Sequence, residues 1–323
     1  MFRSALAIAL VALPAFAFAD PPAACFPPSS LAGTAGENLS RRAGPSDRFA
    51  PPDASPPLQG AHVPAGVVRR VALPPGEKLV ALTFDLCEAG GEVAGYDAAV
   101  VGALREAQAP ATFFMGGRWA LSHEQRAMQL LADPLFEVGN HTWDHADLDG
   151  ADAAKVALEI DRTETVLRDL RARIARSCPA AGALAPTGLF RFPYGACSPE
   201  SLAATASLGQ TAVQWDVVSG DPSGIGATAM AKHVIASVRP GSIVVMHANG
   251  RGKHTGEALK TIIPKLRAAG YRFVTVGQLL AAGTAQTSAV CYVEKAGDTA
   301  RYRNRGQRAV KEQHAGAAAP ARD

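Results

Sequence analysis

Beyond residue 77 the chain settles into an alternation of short apolar runs with longer amphipathic ones. Residues 78–85, Lys-Leu-Val-Ala-Leu-Thr-Phe-Asp, form an apolar run closed by a carboxylate and read as a buried strand. Similar strand signals fall at 111–115, 135–138, 189–192, 212–217, 242–247 and 272–276. Between them, apolar positions at helical spacing predict helices over 98–107, 124–132, 151–173, 199–207, 227–238 and 257–269. Seven strand signals interleaved with helices predict a parallel α/β architecture, and a barrel and an open doubly wound sheet both fit at this level.

The flanks have a different texture. Residues 1–19 combine a basic start at Arg3, an apolar middle and the small-x-small end Ala17-Phe18-Ala19, the pattern of a signal peptide cut before Asp20. The apolar stretch is shorter than the ~20 residues a bilayer core needs and contains Pro14, so a transmembrane anchor is not expected. Residues 20–75 hold 12 of the 23 prolines and show no sustained hydrophobic period. They predict an extended arm, lying over the domain or projecting from it, that takes no part in a sheet. From 283 the α/β pattern has stopped, and the residues to 323 read as a basic, partly disordered tail.

Composition narrows the classes. With 323 residues, 48% hydrophobic and 19% charged, the chain can bury a large core. The net charge of +3 is matched by residues 294–323 alone, which carry seven Lys and Arg against four Asp and Glu. The body is therefore near neutral, and nucleic acid is not an expected partner. A weak contact of the tail with an anionic envelope and a tail without a partner both remain open. Export to a periplasmic or extracellular space makes disulfides possible among Cys25, Cys87, Cys178, Cys197 and Cys291, with one thiol left over. No CxxC occurs, which argues against a thiolate zinc site.

Parallel α/β folds carry their reactive groups at the carboxyl ends of strands. Asp85 closes the first strand signal, and Asn140-His141-Thr142-Trp143-Asp144-His145 follows the third. Arg191 and Tyr194 end the fourth, Asp221 follows the fifth, and His247 ends the sixth. Two imidazoles four positions apart can converge on one metal ion from a single turn of chain. Alone the pair would read as a surface feature; chemical residues at four further strand ends turn it into a candidate metal site.

The segments Thr83-Phe84-Asp85, His141 to His145, Arg191-Phe192-Pro193-Tyr194-Gly195, Ser219-Gly220-Asp221 and Val245-Met246-His247 resemble the five ordered motifs of the polysaccharide deacetylase family, the NodB-like domain of carbohydrate esterase family 4. The resemblance implies a distorted (β/α) barrel of about seven strands over residues 76–282. It also implies hydrolysis of an acetamido or acetyl group on a carbohydrate, dependent on a divalent metal, with Zn2+ expected. Position by position, Asp85 matches the general base, His141 and His145 the metal imidazoles, and His247 the general acid. Arg191 matches the residue that positions the base, Tyr194 the place where a main-chain N–H holds the oxyanion, and Asp221 the carboxylate that orients the acid.

The chain departs from the family pattern in its first motif. The second of two adjacent aspartates, the family's third metal ligand, is Leu86 here, followed by Cys87 and Glu88. Asp85 is the expected replacement ligand, with Glu88 as the alternative and water if neither reaches. If Asp85 ligates, Glu88 or Asp144 would have to act as base. Pro222 stands where the family often has an aromatic residue. A disulfide between Cys87 and Cys197 is expected because both follow strand ends on one rim, with Cys25–Cys291 pairing across the extensions and Cys178 left free. The expected substrate is an N-acetylglucosamine-containing glycan, peptidoglycan or chitin-like. An O-acetyl esterase acting on a xylan-type polymer and a non-catalytic glycan-binding relative remain alternatives.

Overall fold

The structure, a computed structural model, describes residues 25–44, 47, 49–53 and 63–291. The signal-peptide reading and the tail beyond 291 lie outside the described residues. Along the chain the strands are β1 (Arg41–Arg42), β2 (Val67–Ala72), β3 (Leu79–Leu86), β4 (Glu92–Val93), β5 (Ala111–Met115) and β6 (Phe136–Asn140). They continue with β7 (Leu189–Phe190), β8 (Thr211–Ala212), β9 (Val217–Val218), β10 (Ile243–His247), β11 (Arg272–Phe273) and β12 (Thr284–Ser288).

All eight residues of β3 are buried, as its unbroken apolar run predicts for a strand covered on both faces. Strand alternation then sorts the side chains. Val80, Leu82, Phe84 and Leu86 join the large core beneath the helices, whereas Leu79 and Ala81 pack in a second cluster with Val68, Phe114, Val213 and Ile243. β3 pairs in parallel with β5, β10 and β11. The order is β8-β7-β6-β5-β3-β10-β9 with β11 added beside β3, a curled parallel sheet that matches the distorted barrel the resemblance implies.

The expected strand 212–217 is split. Its two ends are β8 and β9, which lie at opposite edges of the sheet, so the intervening residues cross the gap where a closed barrel would be hydrogen-bonded. β2 covers that gap. Val68 bridges to Val213 and Arg70 to Ser242, and Val67, Val68 and Val71 are fully buried. This corrects the expectation that residues 20–75 take no part in a sheet, because the apolar positions of β2 have an opening to fill. It also moves the C-terminal boundary of regular structure, since β12 pairs antiparallel with β2. Residues 272–276 likewise divide, β11 ending at Phe273 and a helix Val276–Ala281 starting from the cap Thr275.

The described part of the arm lies over the domain. β1 pairs with β4, and Arg126 reaches Glu37 at 2.6 Å and the carbonyls of Ser30 and Ala32 at 2.6 and 2.8 Å. The disulfides differ from expectation: Cys25 bridges Cys178 and Cys197 bridges Cys291, with Cα separations of 5.3 and 5.4 Å. Cys178 is the residue on which the helix Ala153–Ser177 ends, within reach of the arm. Cys291 follows β12 and ties the end of the described chain to the loop after β7. Cys87 is the free thiol and is buried, with no cysteine left to meet.

Candidate active site

The site is assembled by strand register. His247, the last residue of β10, is the direct neighbour of Asp85 on β3, and Asp85 in turn faces Phe114 on β5. Met115, the end of β5, pairs with Asn140, the end of β6, so the loop carrying both histidines leaves the sheet beside Asp85. All six residues proposed from the strand ends other than Tyr194 thereby gather on one rim.

Asp85 is 5% exposed and Arg191 fully buried, their side chains joined from Nη1 to Oδ1 at 2.8 Å. The rest of the guanidinium is fixed as well. Its Nε and Nη2 donate to the carbonyls of Val213 and Gln214 at 3.2 Å, and its plane lies over the Phe114 ring at 4.0 Å. Burial acts to raise the Asp85 pKa, but the Arg191 charge, with His141 and His247 behind it, holds the carboxyl below its ordinary value. The charged form of Asp85 is thus favoured and is positioned by a guanidinium held by two further carbonyls.

On the neighbouring side, Asp221 is 1% exposed and its carboxylate is committed to His247 and the residues around it. Oδ1 accepts from His247 Nδ1 at 3.0 Å and from Ser219 Oγ at 2.9 Å, while Oδ2 accepts from the His247 amide at 2.7 Å and Thr255 Oγ1 at 3.0 Å. Burial would lower the His247 pKa, yet the Asp221 charge and hydrogen bond outweigh it and raise the value above that of an ordinary imidazole. With Nδ1 committed to Asp221, Nε2 is the nitrogen left to exchange a proton with a substrate.

The two remaining histidines sit on a strained loop rather than on the single turn the spacing suggests. Thr142 and His145 have φ of 68° and 59°, a region disfavoured for any side chain and most of all for a β-branched one. Buried polar groups hold the loop there. Asn140 Oδ1 accepts from the Thr142 amide at 3.0 Å, and Glu159 Oε2 accepts from the Trp143 amide at 3.0 Å. The fully buried Glu159 comes from the middle of a long helix, and nothing in the sequence distinguished it from that helix's surface charges. Tyr194 also has positive φ, 60°, in the turn Pro193–Gly195, and its ring meets His145 edge-on at 4.4 Å.

His141 donates from Nδ1 to the Arg191 carbonyl at 2.8 Å, which leaves the lone pair on Nε2. That Nε2 is buried and has no hydrogen-bond partner among the described residues; Asp85 Oδ2 is 3.6 Å away. Burial lowers the pKa of both His141 and His145, a shift that favours the neutral imidazole, the form that binds metal. The ligand atoms of Cys87, His141 and His145 all lie within 4.8 Å of one another. Two imidazoles, one with an unpartnered buried nitrogen, and a sulfur with ligand atoms within 4.8 Å of one another are a donor set that fits a divalent cation.

Glu88, the alternative third ligand, is engaged elsewhere. Its oxygens accept from the Ala94 amide at 3.0 Å and Ser122 Oγ at 2.6 Å, and burial pushes its pKa up to about 7. Asp144 adjoins Glu159, and burial followed by the Glu159 charge raises its pKa. Cys87 Sγ and carbonyl are both held by Asn249 Nδ2, at 3.1 and 2.7 Å. Burial pushes the free thiol up to about 12. Arg251, paired with Glu92, completes this side of the rim.

A buried carboxylate on a guanidinium, an imidazole on a second carboxylate and a group of possible metal ligands thus share one rim. The chain matches the polysaccharide deacetylase model over residues 72–213. It is 31% identical over 217 residues to a chitooligosaccharide deacetylase of Bradyrhizobium sp. (strain ANU 289), covering 63% of this chain and 91% of that relative. A chitooligosaccharide deacetylase of Rhizobium leguminosarum bv. phaseoli is 35% identical over 144 residues, 45% of this chain and 58% of that relative. A solved peptidoglycan N-acetylglucosamine deacetylase superposes with a TM-score of 0.55 at 26% identity, over 68% of this chain and 94% of its own. The chain belongs to the polysaccharide deacetylase family, hydrolases of carbon–nitrogen bonds other than peptide bonds.

Proposed function

We propose that this protein is an exported, metal-dependent deacetylase that removes N-acetyl groups from an N-acetylglucosamine-containing glycan, peptidoglycan or chitin-like. The observation that carries the reading is the pairing in register of two separately anchored proton carriers, Asp85 on Arg191 and His247 on Asp221, with the buried Nε2 of His141 3.6 Å from Asp85. Relatives named for chitooligosaccharide and peptidoglycan substrates support the choice of glycan. Two disulfides fit an oxidising compartment, as the signal-peptide reading of residues 1–19 requires. Among the described residues no helix is long and apolar enough to cross a membrane.

His141 and His145 would hold a divalent cation, zinc in our reading. When bound, such a cation polarises the acetamido carbonyl and makes a water molecule acidic enough to attack near neutral pH. Asp85 takes the proton from that water, and Arg191 keeps the carboxylate charged and aimed. The main-chain N–H at Tyr194 stabilises the negative charge that develops on the carbonyl oxygen. His247 donates its proton to the departing amine nitrogen as the carbon–nitrogen bond breaks, which leaves acetate and a free amino sugar. Asp221 keeps His247 charged until that moment.

The test is acetate release from N-acetylglucosamine oligomers, peptidoglycan and acetylated xylan by the purified protein. Release from the first two in excess of the third is expected. Release confined to the xylan ester would replace the amide reading with an esterase. No release from any of the three would leave a glycan-binding relative.

A further inference from the structure

The family pattern leaves this chain one metal ligand short, and three observations converge on where the missing one is. First, Leu86 is fully buried in the apolar core and offers no ligand atom, whereas the buried Cys87 that follows it lies outside that cluster. The carboxylate that the family pattern has at 86 is absent, and the adjacent residue carries an atom that can ligate. Second, Cys87 Sγ lies within 4.8 Å of the ligand nitrogens of both His141 and His145. Ligands of one tetrahedral zinc stand about 3.3–3.8 Å apart, given bond lengths of about 2.0–2.3 Å, so a small side-chain adjustment closes the set. Third, the buried Nε2 of His141 has no partner and carries its lone pair, because Nδ1 is committed to the Arg191 carbonyl.

We propose that Cys87 is the third protein ligand, binding as a thiolate a metal ion held by His141 and His145 and replacing the carboxylate that the family pattern places at residue 86. The proposal rests on the metal-dependent reading above and adds the ligand identity. It reverses the expectation drawn from the missing CxxC, since a mixed thiolate and imidazole site needs no second cysteine. A thiolate carries the same single negative charge as a carboxylate, so the net charge around the cation is preserved. A coordinating thiol is deprotonated outright, so the protonated state of the free thiol is no obstacle.

The surroundings suit a sulfur ligand. Asn249 Nδ2 donates to Sγ at 3.1 Å and to the Cys87 carbonyl at 2.7 Å, the kind of outer contact that orients a ligand. The other four cysteines are paired in disulfides, so Cys87 alone has kept its thiol in a protein read as exported. With Cys87 on the metal, Asp85 stays with Arg191 as the base, and neither Asp85 nor Glu88 has to be drawn into coordination. Sulfur also biases the site toward zinc over harder cations such as magnesium or manganese.

The experiment is X-ray absorption on the zinc-loaded full-length protein, with the near-ultraviolet spectrum of the cobalt-substituted form. One sulfur scatterer at about 2.3 Å and a thiolate-to-cobalt charge-transfer band are expected. Cys87→Ser should lose the sulfur signal and weaken zinc binding by about 100-fold or more, since even outer-contact losses cost about 10–100-fold. Asp85→Asn should keep the sulfur signal. Bound zinc with only nitrogen and oxygen neighbours in the unmutated protein overturns the Cys87 assignment while leaving metal dependence standing. A protein that takes up no zinc or cobalt overturns both. Because the decisive spectra are of the unmutated protein, a Cys87→Ser variant that fails to fold does not protect the proposal.

Discussion

The two halves of the site are built to different standards of completeness. In the proton-transfer half the anchoring groups are paired: Asp85 Oδ1 lies on Arg191, the guanidinium donates to two carbonyls, and Asp221 accepts four hydrogen bonds. In the histidine half Nε2 of His141 has none, and the loop that presents it is bent through φ of 68° and 59° at Thr142 and His145. A buried unpaired nitrogen costs on the order of 1–3 kcal/mol, and strained backbone a similar amount per residue. The first half folds to its working geometry unaided; the second holds a cost that a bound cation would repay. The contrast separates what the chain supplies from what it must recruit.

The sharpest way to break the comparison is to remove a proton carrier without touching the histidines. Asp85→Asn should cut acetate release by about 10²- to 10⁴-fold, the usual weight of a general base, with zinc content measured on the same preparation staying near that of the unmutated protein. Zinc lost in parallel with activity would place Asp85 among the ligands. Next in size is Arg191→Leu, which leaves the Asp85 carboxylate buried without its cation. It should lower stability by about 3–5 kcal/mol, readable in thermal or urea denaturation. A melting temperature unchanged by that substitution would mean that the proton-transfer half is not closed by this pair.

Asp221→Asn probes the acid. In the proposed reaction His247 works as the imidazolium, which is populated below its pKa and lost as pH rises through it. Asp221 raises that pKa against the effect of burial, with Asp85 acting in the same direction and Arg251 against it. Removing the Asp221 charge should therefore move the alkaline limb of the rate profile to lower pH. A limb that stays in place would take His247 out of the acid role. The smallest effect is expected from Glu88→Gln, because that carboxyl faces Ser122 and the Ala94 amide. Zinc content and acetate release should both be nearly unchanged, and loss of metal would restore Glu88 as a ligand.

Much of this was readable from residue order. The parallel α/β pattern and the clustering of Asp85, His141, Arg191, Asp221 and His247 follow from strand ends alone, because parallel strands deliver their carboxyl ends to one rim. What escaped depends on three-dimensional closure. β2 was hidden because a six-residue strand in a Pro-rich stretch becomes favourable only when it has a gap between β8 and β10 to cover. The disulfides depart from expectation because distance from a strand end does not decide which cysteines meet, and Cys25 and Cys291 come from segments whose paths no local pattern sets. Glu159, Asn249 and the inward turn of Cys87 are orientations, which spacing does not encode.

The central claim is that the histidine half is incomplete without a cation, and chelation addresses it most directly. Full-length protein stripped of metal and assayed on N-acetylglucosamine oligomers should release no acetate above background, and stoichiometric zinc should restore release. Undiminished release from protein verified to be metal-free would contradict it.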